Sequence, residues 1–300
     1  MSTSTTFDHL LGRVTAGERL SPDDLAQLAA APDILAVGML ADAVRRRLHG
    51  TRVTFVRVAS LACDAARADE VPPTAREVRV TGSPASLDAA VGAVQRAKAA
   101  AGPRAVSAFS WSDIVRLASG GGLPPGRVLA DLRAAGLEAL AEIPIDTVGD
   151  EAAVLDALRD AGFDRVRLTF ECAPAADRTA RMLRAAGLQD RLGGIQALNP
   201  LPTVLHPARP TTGYDDVKAV AVARLAAPNI PTIQVDWQRY GPKLAQVALT
   251  FGADDFDNVT VSDEAPDGRR RAPMEDVRRN IEAAGFSAAE RDGSFNVLTT

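Results

Sequence analysis

Three carboxylates, Glu142, Glu171 and Asp236, each stand at the end of a short apolar run, in ALAEIPI, VRLTFEC and TIQVDW. A carboxylate in apolar surroundings either finds a cation or has its pKa raised, and a raised pKa suits general acid/base work. Glu142 carries both readings: a proton carrier or ribose-hydroxyl acceptor, or one half of an ion pair with an arginine such as Arg167. Ser110, Asp113, Asn199, Gln234, Trp237 and Arg239 fall at or just beyond comparable apolar runs. With Asp236 they make the candidate ligand wall. Asp236 would accept hydroxyl hydrogen bonds, Trp237 would offer a ring face, and Arg239 would hold a carboxylate in its planar fork. The competing reading of Trp237 is core packing.

Other chemistries find less support. Cys63, Cys172, His206 and Asp236 lie far apart, and no Cys-x-x-Cys or His-x-x-x-His spacing joins any of them, so no metal site is expected. His206, in LHPARP, reads as a solvated loop residue, and the two Arg-Arg-Arg runs at 45–47 and 269–271 as solvated charge. There is no Gly-x-Ser-x-Gly elbow and no phosphate-binding glycine loop; LASGGGLPPG at 117–126 reads as a connection.

These residues need a scaffold, and 300 residues with 46% hydrophobic and 24% charged content can bury a sizeable core. The net charge of -4 gives no electrostatic reason to seek nucleic acid or an anionic membrane. Two cysteines make no disulfide framework, the first residues do not read as a secretory signal, and no apolar run is long enough to span a bilayer, so a cytoplasmic location is expected. Residues 1–50 read as an N-terminal helical extension of two helices, with an N-cap at Ser21 and Asp24 three residues on, a capping-box spacing. From residue 51 strands and helices alternate to the end. Strands are expected at 52–60, 77–82, 104–110, 138–144, 165–171, 195–199 and 232–237. Helices are expected near 86–101, 125–135, 151–161, 175–186, 214–226, 242–251 and 273–284, with Gly102, Gly136, Gly162, Gly187 and Gly285 as their caps. Residues 258–272 read as a long surface loop. Without a Gly-x-Gly-x-x-Gly turn, the alternation points to an α/β fold of the (β/α) TIM-like barrel type, partial or complete, over residues 51–300.

Particular words then narrow the reading. GERLSPDDLAQLAAAPDILAVGMLADAVRRRL near the start and NIPTIQVDWQRYGPKLAQVALTFGADD near the end resemble the radical-SAM enzymes of menaquinone biosynthesis. These are aminofutalosine synthase and dehypoxanthine futalosine cyclase, with their relative in deazaflavin synthesis. SAFSWSDIVRLA, LEALAEIPI and ALNPLPTVLHP resemble segments from the middle of that family, with Glu142 matching its acidic residue. The family follows its first strand with Cys-x-x-x-Cys-x-x-Cys, because three thiolates hold a four-iron cluster whose fourth iron stays open for S-adenosylmethionine. Here that loop reads LACDAARADEV, with Cys63 alone, and the family's Gly-Gly turn after the second strand reads RVTGSPASL.

The resemblance therefore implies a degenerate member, in which neither an iron–sulfur cluster nor S-adenosylmethionine use is expected. Its implied role is a non-catalytic partner of a full-length futalosine-pathway enzyme, or a small-molecule-binding subunit. Two alternatives stand beside it. One is a repurposed, cofactor-independent barrel enzyme using Glu142, Glu171 and Asp236 on a nucleoside-like substrate. The other is a radical enzyme whose cluster another chain completes.

Overall fold

A computed structural model describes residues 3–65, 70–170, 175–201, 213–262 and 273–298. Three helices come first, α1 (Thr3–Ala16), α2 (Pro22–Ala30) and α3 (Ile34–His49). The alternating part then runs β1 (Arg52–Ala62), β2 (Glu77–Thr81), α4 (Leu87–Ala101), β3 (Ala105–Ser110), α5 (Trp111–Gly121), α6 (Pro125–Ala134), β4 (Ala139–Pro144) and α7 (Glu151–Asp160). It continues with β5 (Val166–Phe170), α8 (Ala175–Leu192), β6 (Ile195–Pro200), α9 (Tyr214–Ala226), β7 (Thr232–Asp236) and α10 (Trp237–Leu249). Last come β8 (Asp255–Val259), α11 (Pro273–Ala283) and β9 (Ser287–Glu290).

Strands β2 to β8 are parallel neighbours in chain order, and β1 pairs with both β8 and β2, so the sheet closes into an eight-stranded (β/α) barrel. The closure has a seam. β1 is eleven residues long; its upper half, Val58–Ala62, pairs with β2, whereas its lower half, Arg52–Phe55, pairs with β9. The chain's last strand is thus inserted at the amino-terminal foot of the barrel, where β1 and β2 part. Away from their ends, strands β1 to β8 are largely buried on both faces, as a parallel sheet wrapped in helices requires.

Helix boundaries follow local chemistry. Ser21 caps α2 and Asp24 returns the bond to the Ser21 backbone, so the expected capping box is present. Ahead of the barrel there are three helices rather than two, α2 packing on α8 and α9 and α3 on α9. Gly102, Gly136, Gly162 and Gly285 have positive φ just past helices, the conformation that favours glycine. Gly187 does not end a helix: α8 runs through it to Leu192. Two elements were hidden in segments read as connections. α5 begins on a capping box of Ser110 and Asp113 and carries the glycines of SGGG in and after its last turn. β8, DFDNV, was concealed by its acidic residues, which alternate into the barrel lumen. Most of the expected surface loop, from residue 263 on, lies outside the described residues.

Candidate functional site

Alternation along the strands decides which side chains meet in the lumen. Glu77 and Arg79 on β2, Ser107 on β3, Arg167 on β5, Gln234 on β7 and Asp255 and Asp257 on β8 all point inward, and all are buried. They form a polar network of two neighbouring hydrogen-bonded groups, one around Glu77 and one around Asp255. Arg167 donates to both oxygens of Glu77, Nη1 to Oε1 at 2.9 Å and Nη2 to Oε2 at 2.8 Å. Arg79 Nη2 bridges Glu77 Oε1 at 2.8 Å and Asp257 Oδ1 at 2.9 Å, and Ser107 Oγ donates to Glu77 Oε1 at 2.5 Å. Asp255 receives Arg291 from the C-terminal segment, Nε at 2.6 Å and Nη2 at 2.8 Å, together with Gln234 Nε2 at 2.8 Å and Thr54 Oγ1 at 2.6 Å. Three acids, Glu77, Asp255 and Asp257, face three arginines, Arg79, Arg167 and Arg291, so the network is neutral.

Burial works against the Glu77 carboxylate, but the guanidinium groups of Arg167 and Arg79 outweigh it and hold the carboxyl well below the usual range. Burial likewise opposes ionisation of Asp257, and Arg79 reverses the balance. Sequence reading missed this network. Its signal was a charge at every second position of short apolar strands, Glu77 with Arg79 and Asp255 with Asp257, which puts both members on one face.

Above this floor lies the carboxyl end of the barrel, where barrel active sites are built. Ser60, Ala62 and Thr81, at the upper ends of β1 and β2, are exposed there. Ser60 lies in register with Arg79 and Ala62 with Thr81, which places them on the lumen face. Thr169 and Asn199 pair in register on β5 and β6, on the lumen face above Arg167. Both are buried, and Thr169 Oγ1 and Asn199 Oδ1 have no hydrogen-bond partner. Across the mouth, Arg239 Nη2 donates to Glu142 Oε1 at 2.5 Å, joining the end of β4 to the first turn of α10. The cation that Glu142 takes is therefore Arg239 and not Arg167, which Glu77 holds in the lumen. The fork of Arg239 is correspondingly directed to a carboxylate of its own chain.

Asp236 caps α10: its Oδ1 accepts from the backbone N–H of Gln238 and of Arg239, both at 2.9 Å, and Asn258 Nδ2 donates to its Oδ2 at 3.2 Å. Burial and the neighbouring Asp257 carboxylate nevertheless raise its pKa. Gln234 and Trp237 both have partners within the barrel. Gln234 is committed to Asp255, and the Trp237 ring packs on Phe256 with centroids 5.1 Å apart. Ser110 and Asp113 serve each other across the cap of α5, and Asp113 also accepts from Arg116. The structure thus brings Glu142, Arg239, Asp236 and Asn199 to one end of the barrel. Glu171, Cys172 and His206 lie outside the described residues.

Cys63 stands at the end of β1, its N–H donating to Thr81 O at 2.8 Å and its carbonyl accepting from Arg96 at 3.0 Å. Gly82, with φ +87, faces it so closely that a β-carbon there would lie 3.2 Å from the sulfur. Among the described residues no three His, Cys, Asp or Glu side chains converge to hold a metal ion. No described helix is long and apolar enough to cross a membrane.

Comparison with known proteins places this barrel. The sequence model described as the CofH/MqnC C-terminal region matches residues 201–300. The 5-amino-6-(D-ribitylamino)uracil–L-tyrosine 4-hydroxyphenyl transferase of Archaeoglobus fulgidus is 35% identical over 134 residues, 40% of this chain and 39% of its own length. The aminodeoxyfutalosine synthase of Streptomyces coelicolor is 31% identical over 142 residues, 40% of this chain and 37% of that protein. The chain is related to the radical-SAM menaquinone and deazaflavin enzymes. These matches span about two fifths of the relatives' length. Among solved structures, methylornithine synthase superposes with a TM-score of 0.65 at 16% identity, covering 95% of this chain and 98% of that one. The FeFe-hydrogenase maturase HydG of Carboxydothermus hydrogenoformans gives 0.64 at 11% identity, over 95% and 80%. At such identities the likeness shows the shared barrel. A cluster of the kind radical-SAM enzymes use needs three thiolates. The sequence holds two cysteines, one at the end of β1 and one more than a hundred residues later, and this donor set does not fit such a cluster.

Proposed function

We propose that the chain is a cluster-less relative of the futalosine-pathway radical-SAM enzymes, a small-molecule-binding subunit that works beside a full-length radical enzyme of menaquinone biosynthesis. The observation that carries this reading is the single thiol at the end of β1, in a barrel that is otherwise closed and complete. Without three thiolates the chain has no means of its own to hold the one-electron source, and side chains do not replace it. Retention of a ligand is supported by the exposed Ser60, Ala62 and Thr81 at the carboxyl end of the barrel, by Thr169 Oγ1 and Asn199 Oδ1 left without partners, and by Asp236 held among N–H donors at the rim. Unpaired buried polar atoms are costly, and a polar ligand satisfies them.

The test is native mass spectrometry of the purified full chain, beside Asp236→Asn. The amide preserves the helix cap, because Asn caps as well as Asp, but removes the charge. The expected result is a small molecule retained by the wild type and lost from the variant at a thermal midpoint no lower than that of the wild type. An empty wild type, or equal retention by both, contradicts a ligand role for Asp236. Glu142→Gln checks the rim separately. The Glu142–Arg239 pair is partly exposed, so the substitution is expected to cost less than about 1 kcal/mol in stability while changing ligand retention.

A further inference from the structure

At the foot of the barrel, opposite the mouth, a polar cavity of about 160 Å³ lies between the starts of β3, β4 and β5 and the C-terminal segment Gly293–Phe295. Its floor is Arg167, 2% exposed. The Nη groups of Arg167 are committed to Glu77 and to the Gly293 carbonyl, but its Nε–H is buried and has no partner. Two further guanidinium groups, Arg133 and Arg165, line the same cavity from exposed positions. Arg133 is held in place by a 3.0 Å bond to the Leu137 carbonyl and by the Phe163 ring, 5.5 Å away.

The acids that line the cavity do not cancel this charge. Glu138 is paired with Lys98 at 2.8 Å, and Arg167 is already balanced by Glu77. That leaves Arg133 and Arg165 against Asp164, a surplus of one positive charge around an unsatisfied buried donor. The volume and the polar, cationic lining suit a tetrahedral oxyanion with a short attachment. Guanidinium groups converging from several directions are matched to the oxygens of such an anion.

We propose that this cavity binds a phosphate group, either free inorganic phosphate or the terminus of a small phosphomonoester, and that the bound anion fastens the C-terminal segment to the foot of the barrel. The site is remote from the mouth, so the proposal stands independently of the function proposed above.

The experiment is calorimetric titration of the full chain with inorganic phosphate, and separately with glycerol phosphate, at constant ionic strength, with hydrogen exchange followed over residues 291–298. Saturable binding is expected, with slowed exchange in that segment. Arg165→Gln is expected to weaken binding at least tenfold without moving the thermal midpoint, whereas Arg127→Gln, away from the cavity, leaves binding unchanged. Tighter binding of inorganic phosphate identifies the free anion as the occupant, and tighter binding of glycerol phosphate identifies a phosphomonoester. The proposal is overturned if neither probe saturates, if chloride at the same ionic strength reproduces the response, or if Arg165→Gln binds as the wild type does.

Discussion

Arg291 and Asp255 show what the lumen demands of single residues. Both are essentially inaccessible, and each satisfies the other through two hydrogen bonds. Replacing a whole buried ion pair by apolar groups can be neutral, but removing one partner strands a charge. Arg291→Met leaves Asp255 with only Gln234 and Thr54, and is expected to lower the unfolding free energy by about 3–5 kcal/mol, read from the urea midpoint. The same network sets an acid limit. Glu77 and Asp257 have folded pKa values below those of the unfolded chain, so the stability they contribute is fully present above the ordinary carboxylate pKa, about 4. It is lost as pH falls from there toward the folded values. Asp236 acts in the opposite sense: its raised pKa makes its charged form a cost that protonation relieves. Asp254 is raised in the same way, whereas Asp24, Asp113 and Asp190 are held down along with Glu77 and Asp257, so the thermal midpoint is expected to fall below about pH 4. The fall should be shallower in Glu77→Gln, which no longer has that carboxylate to protonate. An acid profile identical in the two proteins contradicts this assignment.

At the scale of elements, the C-terminal segment is part of the barrel wall. β9 fills the lower seam beside β1, Glu290 receives Arg57, and the chain then turns under the lumen to deliver Arg291 and the Gly293 carbonyl. Gly293 is required by closeness rather than by φ: a β-carbon there would lie 2.9 Å from the Ala105 β-carbon and 3.0 Å from that of Glu77. Gly293→Ala is expected to cost about 1–3 kcal/mol by overpacking. At Gly149, where an added β-carbon meets nothing within 4 Å, the same change should stay within about 0.5 kcal/mol. Thermal melts of the two variants check the contrast. The alternation of elements was legible because strands β1 to β7 are short apolar runs and most helices end on glycine. β8 was not, since Asp255 and Asp257 look like loop residues until Arg291 and Arg79 are known to face them. The ion network itself was beyond reach. Glu77 and Arg167 are 90 positions apart and Arg79 and Asp257 are 178 apart, and no local pattern announces partners at that distance. At the mouth, the strand-end rule located Glu142, Asp236 and Asn199, but the choice of Arg239 over Arg167 as partner for Glu142 depended on Arg167 lying lower in the lumen, committed to Glu77 from β2.

For the molecule as a whole, the relation to the radical-SAM menaquinone and deazaflavin enzymes and the closed barrel account for the scaffold, while the proposal that this chain works without a cluster rests on its thiol count. The lower lumen is a neutral, hydrogen-bonded floor, and above it Thr169 and Asn199 keep buried polar atoms without partners, which a polar ligand would satisfy. The measurement that tests this most directly is iron and acid-labile sulfide per chain after anaerobic reconstitution, with S-adenosylmethionine cleavage assayed on the same sample. The account predicts substoichiometric iron, no cluster absorption and no 5′-deoxyadenosine. A stoichiometric four-iron cluster that cleaves S-adenosylmethionine would contradict it.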